Sequence, residues 1–116
     1  ALFRQNTGGY KLHITGFSGF STYSTAYDSL EDGTWKHFAL SRTSSGDVKS
    51  FIDGSVIESS TGYTLSVADT VKKLRIAGLQ GYSGYGIQMY IQDVRLTRGL
   101  ARYTANFTPP TESFKG

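Results

Sequence analysis

Asp28, Glu31 and Asp32 put three carboxylates into the short stretch DSLED, and paired carboxylates are the first requirement of glycosidic-bond chemistry. A retaining glycosidase holds two of them about 5 Å apart on a rigid element, for example as Glu-x-Asp-x-x-Glu along one strand. Nothing here fits that spacing. The three Glu stand alone at Glu31, Glu58 and Glu112, and DSLEDG reads as a solvated acidic turn before Trp35. Serine chemistry fares no better, because GFSGF and GYSGYG each miss the Gly-x-Ser-x-Gly elbow by one position and neither has a His in a matching context. His13 and His37 are the only histidines, and two imidazoles without a third ligand make a poor zinc site. Without cysteine there is no thiol nucleophile, no thiolate zinc ligand and no disulfide. Calcium would need clustered oxygen ligands; Asp69 or Asp93 alone would bind weakly, so calcium stays open and unsupported, and no other cofactor is expected. The reading is non-enzymatic.

Binding is better represented than catalysis. LQGYSGYG places Tyr82 and Tyr85 among glycines that allow sharp turns, with Gln80 and Ser83 beside them. Tyr offers a flat apolar face with a hydroxyl, which suits the C–H face and hydroxyls of a sugar and suits a protein interface equally well. A second aromatic supply is GFSGFSTYSTAY, where Tyr23 and Tyr27 share strand parity. Asn106-Phe107-Thr108 matches a glycosylation sequon, but Phe107 is expected in the core. The basic excess is uneven: residues 1–70 hold 5 Lys/Arg against 7 Asp/Glu, and residues 71–116 hold 7 against 2. These cations are dispersed along strand positions, which argues against a nucleic-acid face.

The elements that would position these residues follow a period of two. A hairpin is predicted from the opening LFR through the NTGG turn into YKLHIT, followed by TYSTAY. TWKHFALSRT is a strand, SSGD a turn, VKSFID a strand, and Asp53-Gly54 a two-residue hairpin turn because both positions tolerate φ > 0. SVIE returns, VKKLRIA follows, and GIQMYIQDVRLT is expected to be the longest strand. Sustained helical periodicity is missing, and no apolar run approaches the ~20 residues of a membrane-spanning helix. At 116 residues the chain supports one domain, residues 1–116, as an antiparallel β-sandwich. An opening Ala with no preceding Met fits a piece of a longer polypeptide.

Three segments in order carry a resemblance: TWKHFALSRTSSGDVKSFIDG, KLRIAG and MYIQDVRLTRGLARYTANFTPP. They resemble the laminin-G-like, concanavalin A-type jelly-roll domains, in the variety common among structural proteins of tailed bacteriophages. In that variety a Trp-x-His-x-Ala strand, an Asp-Gly turn and an Ile-Gly-like strand lead into a Gly-x-Ala-Arg-Tyr-x-x-x-Phe-x-Pro-Pro close. The resemblance covers roughly Thr34 to Pro110. It implies that residues 94–110 are a final strand plus a closing strap, that Trp35, Tyr103 and Phe107 are structural core, and that His37 packs beside Trp35 with a ring nitrogen satisfied. It also implies that Asp93 is a strand residue paired with an Arg or a backbone amide. The spacing of Tyr103 and Phe107 independently suits one helical turn, stopped by Pro109 and Pro110.

Family domains usually carry further N-terminal strands ahead of the position where ALFRQ stands, which leaves two readings. One is a cut-down sandwich complete with about eight strands; the other is open sheet edges covered by a preceding segment, copies of the chain or other proteins, with oligomeric or intermolecular packing expected. The expected location is a virion, as a tail, fibre or capsid-decoration module that packs against other virion proteins or copies of itself. The alternative is a lectin-like adhesion module gripping host-surface glycan, with Tyr82, Tyr85, Gln80, Ser83, Tyr23 and Tyr27 as the contact candidates.

Overall fold

The computed structural model describes residues 2–4, 10–13, 21–23, 32–63 and 89–114. Every regular element among them is a β-strand, and no helix occurs among the described residues. The chain divides into two compact units, Ala1–Thr34 with Tyr63–Met89, and Trp35–Gly62 with Tyr90–Gly116.

In the first unit, β1 (Leu2–Arg4), β2 (Tyr10–His13) and β3 (Ser21–Tyr23) form an antiparallel sheet in the order β1-β2-β3. Leu2 lies opposite Leu12, and Leu12 opposite Thr22.

In the second unit, β4 (Phe38–Arg42), β5 (Val48–Ile52) and β6 (Ser55–Ser60) form an antiparallel meander with β5 in the centre. Phe51 is 0% exposed, Val48 1% and Ile52 6%. Adjacent positions in a strand point to opposite faces, so burial of Phe51 and of its neighbours Ser50 and Ile52 means that β5 is covered on both sides.

Each turn of the meander has a chemical cause. Between β4 and β5 the Thr43 N–H donates to the Asp47 carbonyl at 2.9 Å and the Gly46 N–H to the Thr43 carbonyl at 3.1 Å. Between β5 and β6, Asp53 and Gly54 have φ of 49° and 80°, both left-handed, as a two-residue type I′ turn demands. Asp53 also holds the entry to β4: its Oδ1 accepts from the His37 N–H at 2.9 Å, and its own N–H donates to the His37 carbonyl at 2.9 Å. A register shift at Ser50/Phe51 places a bulge in the β5–β6 ladder.

Three sequence expectations are corrected. The strand predicted from Thr34 begins only at Phe38, and Trp35, expected in the core, is 68% exposed. The long strand predicted to end at Thr97 is not formed over Met89–Thr97, its described part. Asp93 has φ 53°, which breaks an extended run, and its side chain is exposed, not paired in a sheet. Met89, Tyr90, Ile91, Val94 and Leu96 are correspondingly exposed.

Candidate functional site

The best-defined feature of the second unit is the C-terminal segment Ala101–Phe114, laid over β5 and the Asp53-Gly54 turn. Side-chain parity explains the receiving surface. Ala39 pairs with Phe51 and Ser41 with Lys49, so these four share one face of the β4–β5 hairpin. Phe51 is the only ring among them. Onto it the segment brings Tyr103 and Phe107, both half-buried.

Those two rings lie 3.6 Å apart at an interplanar angle of 8°. At that centroid distance the rings overlap face to face with little offset, an arrangement ring quadrupoles favour less than an offset stack or an edge contact. Phe51 meets Phe107 edge-on at 5.3 Å and Tyr103 at 6.2 Å, and His37 meets them edge-on at 5.5 Å and 6.1 Å. Phe114 closes on His37 at 6.4 Å, and the Arg95 guanidinium sits 4.0 Å above the Phe114 ring. Tyr103 and Phe107 do not meet by a helical turn, as their spacing suggested. Bends at Arg102, Thr104 and Ala105 bring them together, in a stretch whose Thr and Asn residues are poor helix formers.

Three hydrogen bonds tie the segment down. The Phe107 N–H donates to the Gly54 carbonyl at 3.0 Å, Asn106 Oδ1 accepts the Val56 N–H at 2.9 Å, and Lys49 Nζ donates to the Thr104 carbonyl at 2.6 Å. The second of these satisfies a donor on β6, a sheet-edge strand within this unit. Gly54 is required by the same approach: a Cβ there would collide with the Phe107 carbonyl oxygen and stand 2.9 Å from its carbon. VRLTRGLARYTANFTPP therefore ends in a strap.

His37 is not where the resemblance implied. Its partners are Tyr103, Phe107 and Phe114, not Trp35, and its Nδ1 is buried without a hydrogen-bond partner. The ring serves as an aromatic wall, and an unmade buried hydrogen bond costs about 1–3 kcal/mol.

Beside the strap lies a cavity of about 90 Å³ lined by Ser41, Thr43, Asp47, Lys49, Tyr103 and Thr104. Two of the lining residues, Thr43 and Asp47, belong with Ser45 to a closed ring of hydrogen bonds. The Asp47 N–H donates to Thr43 Oγ1 at 3.0 Å, and Ser45 Oγ donates to Asp47 Oδ2 at 2.9 Å. Ser45 has one hydroxyl hydrogen, so in its 2.7 Å contact with Thr43 Oγ1 the threonine is the donor. Ser41, also in the lining, is 9% exposed, and its Oγ is buried without a hydrogen bond to another protein group. No sequence pattern marks this cavity, because its walls come from both arms of a hairpin and from a strap some 55 residues onward in the Lys49–Thr104 contact.

Of the sequence-derived contact candidates, Tyr82, Tyr85, Gln80, Ser83 and Tyr27 lie outside the described residues, as does Asp69. Tyr23 ends β3, with its backbone described and paired to Lys11. Among the described residues, no group of three or more His, Asp or Glu side chains is placed to hold a metal ion, and no helix is long and apolar enough to cross a membrane. Comparison of the chain with protein-family models, with curated proteins and with solved structures gives no match.

Proposed function

We propose that the chain is a non-catalytic structural module of the laminin-G-like jelly-roll kind, acting in a tailed-phage virion by packing against copies of itself or neighbouring proteins. The strap carries the reading. A Trp-x-His-x-Ala segment, an Asp-Gly turn and an Arg-Tyr-x-x-x-Phe-x-Pro-Pro close, which the resemblance joins only by order, meet at one place: His37, Gly54, Tyr103 and Phe107 are in mutual contact or hydrogen-bonded. Exposed Trp35, Tyr90, Val94, Leu96 and Leu100 supply apolar surface of the sort that protein contacts cover. Native mass spectrometry of the purified chain is the test. A discrete oligomer is expected, and a monomer at all accessible concentrations would count against packing as the role.

The second reading, a glycan-binding adhesion module whose weak single-site affinity is raised by repetition on a particle, is favoured by one observation. The cavity beside the strap is lined by hydroxyl-bearing, carboxylate and ammonium side chains, with Tyr103 next to them. A glycan array with a multimeric form of the chain, beside Tyr82→Ala and Tyr85→Ala, separates the two, since silence throughout would leave the structural role alone.

A further inference from the structure

We infer that residues 90–96 are a strand-forming arm which one copy of the chain donates to the outer edge of β4 in a second copy. This deepens the packing reading and rests on it: it names the surface, the partner and the register of the contact.

The arm is the first ground. Tyr90, Ile91 and Val94 are residue types that favour strands, and with Leu96 they are exposed, Tyr90 to 93% and Leu96 to 78%. Among the described residues, none of the seven makes a backbone–backbone hydrogen bond. Asp93, at φ 53°, is the one left-handed residue in the arm, and Asp accepts an extended backbone as readily. Straightening at that single residue turns the arm into a strand.

The acceptor is the second ground. Among the described residues β4 pairs with β5 alone, which leaves the other edge of residues 38–41 to be met by an incoming strand. Phe38 and Leu40 are both exposed and, two apart, share one face. Val94 and Leu96 have the same spacing. Antiparallel pairing with Val94 opposite Leu40 sets Leu96 opposite Phe38, apolar against apolar along that face. The same register sets Asp93 opposite Ser41 and Arg95 opposite Ala39, so within residues 38–41 no charge meets a like charge.

The third ground identifies the partner. The Arg95 guanidinium lies over the Phe114 ring, and Thr97 Oγ1 accepts from Arg102 Nε at 2.8 Å, so the arm is fastened to its own strap. Val94 and Leu40 of one chain stay exposed and do not cover each other. A second copy carries both halves of the contact, so each gives an arm and receives one, the closed two-fold exchange that costs a chain least. A seven-residue strand is about 23 Å long, and two of them with their apolar side chains bury on the order of 1,000 Å², the lower bound of a specific interface.

The experiment uses the absence of cysteine from the chain. Leu40→Cys and Val94→Cys are purified separately, one of them ¹⁵N-labelled, then mixed under mild oxidation and read by intact mass. A mixed dimer linked 40 to 94 is expected, because side chains directly opposed on antiparallel strands lie within disulfide reach. Leu40→Cys mixed with Arg95→Cys, whose side chain takes the other face, should link at least about tenfold less. Sedimentation of the otherwise unaltered chain across a dilution series reads the assembly itself, and Val94→Lys should weaken it about tenfold or more by setting a charge against Leu40. No mixed 40–94 dimer, or a 40–94 link that closes only within one chain of the double variant, would overturn the inference. Val94→Lys assembling as tightly as the parent would overturn it too. An oligomer that forms without the 40–94 link removes this contact and leaves the packing reading standing, whereas a monomer at every concentration ends both.

Discussion

Gly54→Ala tests the strap through a single methyl group. Two costs add at that position. The left-handed backbone, φ 80°, costs an alanine about 1 kcal/mol. The methyl also runs into the Phe107 carbonyl and comes within 3.1 Å of Pro109 Cδ, so the strap must lift. Lifting it gives up the Phe107–Gly54 hydrogen bond, worth about 1 kcal/mol, and re-exposes a half-buried ring, worth about 1 kcal/mol more. The expected loss is about 3 kcal/mol, or about 12 °C in Tm at roughly 4 °C per kcal/mol for a chain of this length. Gly62→Ala and Gly99→Ala separate the terms, because these glycines have φ of 78° and 82° and open space, with nothing within 4 Å of where the methyl would stand. Each should lose only the backbone part, about 1 kcal/mol and about 4 °C. The assay is thermal and urea unfolding of the three variants beside the parent. If Gly54→Ala falls no further than Gly62→Ala and Gly99→Ala, the strap does not rest on the turn and the reasoning fails.

Three further outcomes are expected. Phe107→Ala should destabilise by about 2–3 kcal/mol, below the full cost of a buried ring because Phe107 is only half-buried; a urea midpoint equal to the parent's would refute its role. Asp53→Ala should cost about 2 kcal/mol, combining the φ of 49° with loss of the His37 N–H acceptor. Asp53→Asn should cost little, since Asn tolerates that backbone and the Lys36 contact it weakens is a 3.6 Å partly exposed ion pair; equal unfolding midpoints for the two Asp53 variants would refute this division. His37→Phe should raise stability by about 1 kcal/mol by replacing the unpartnered Nδ1 while keeping an aromatic edge against Tyr103 and Phe107; a lower Tm would mean that the imidazole makes an interaction the geometry lacks.

What is legible in the sequence is what is decided locally. Asp53-Gly54 can be read as a type I′ turn because few dipeptides accept two left-handed residues in succession, and a turn of two residues fixes the pairing of the strands on either side of it. The aromatic close is legible as a pair of rings but not as a conformation: four-residue spacing suits a helical turn, and tertiary bonds to Gly54 and Lys49 hold the segment in bends instead. Trp35 misleads because its bulk favours burial, whereas the strand that would carry it inward starts three residues later at Phe38. Nothing in IQDVRL announces the left-handed Asp93, since Asp tolerates both that region and an extended one. Ser41 carries no sequence signal at all; it stands out only once Lys49 and Thr104 are beside it.

The arrangement on which the account rests is the strap closed on the hairpin, and amide hydrogen exchange at Phe107 and Val56 reads it directly. Both N–H groups should exchange slowly, together with the β5 amides, and the Phe107 ring should show nuclear Overhauser contacts to Phe51 and His37. Exchange of Phe107 and Val56 at the rate of an unstructured chain, with no such ring contacts, would contradict it.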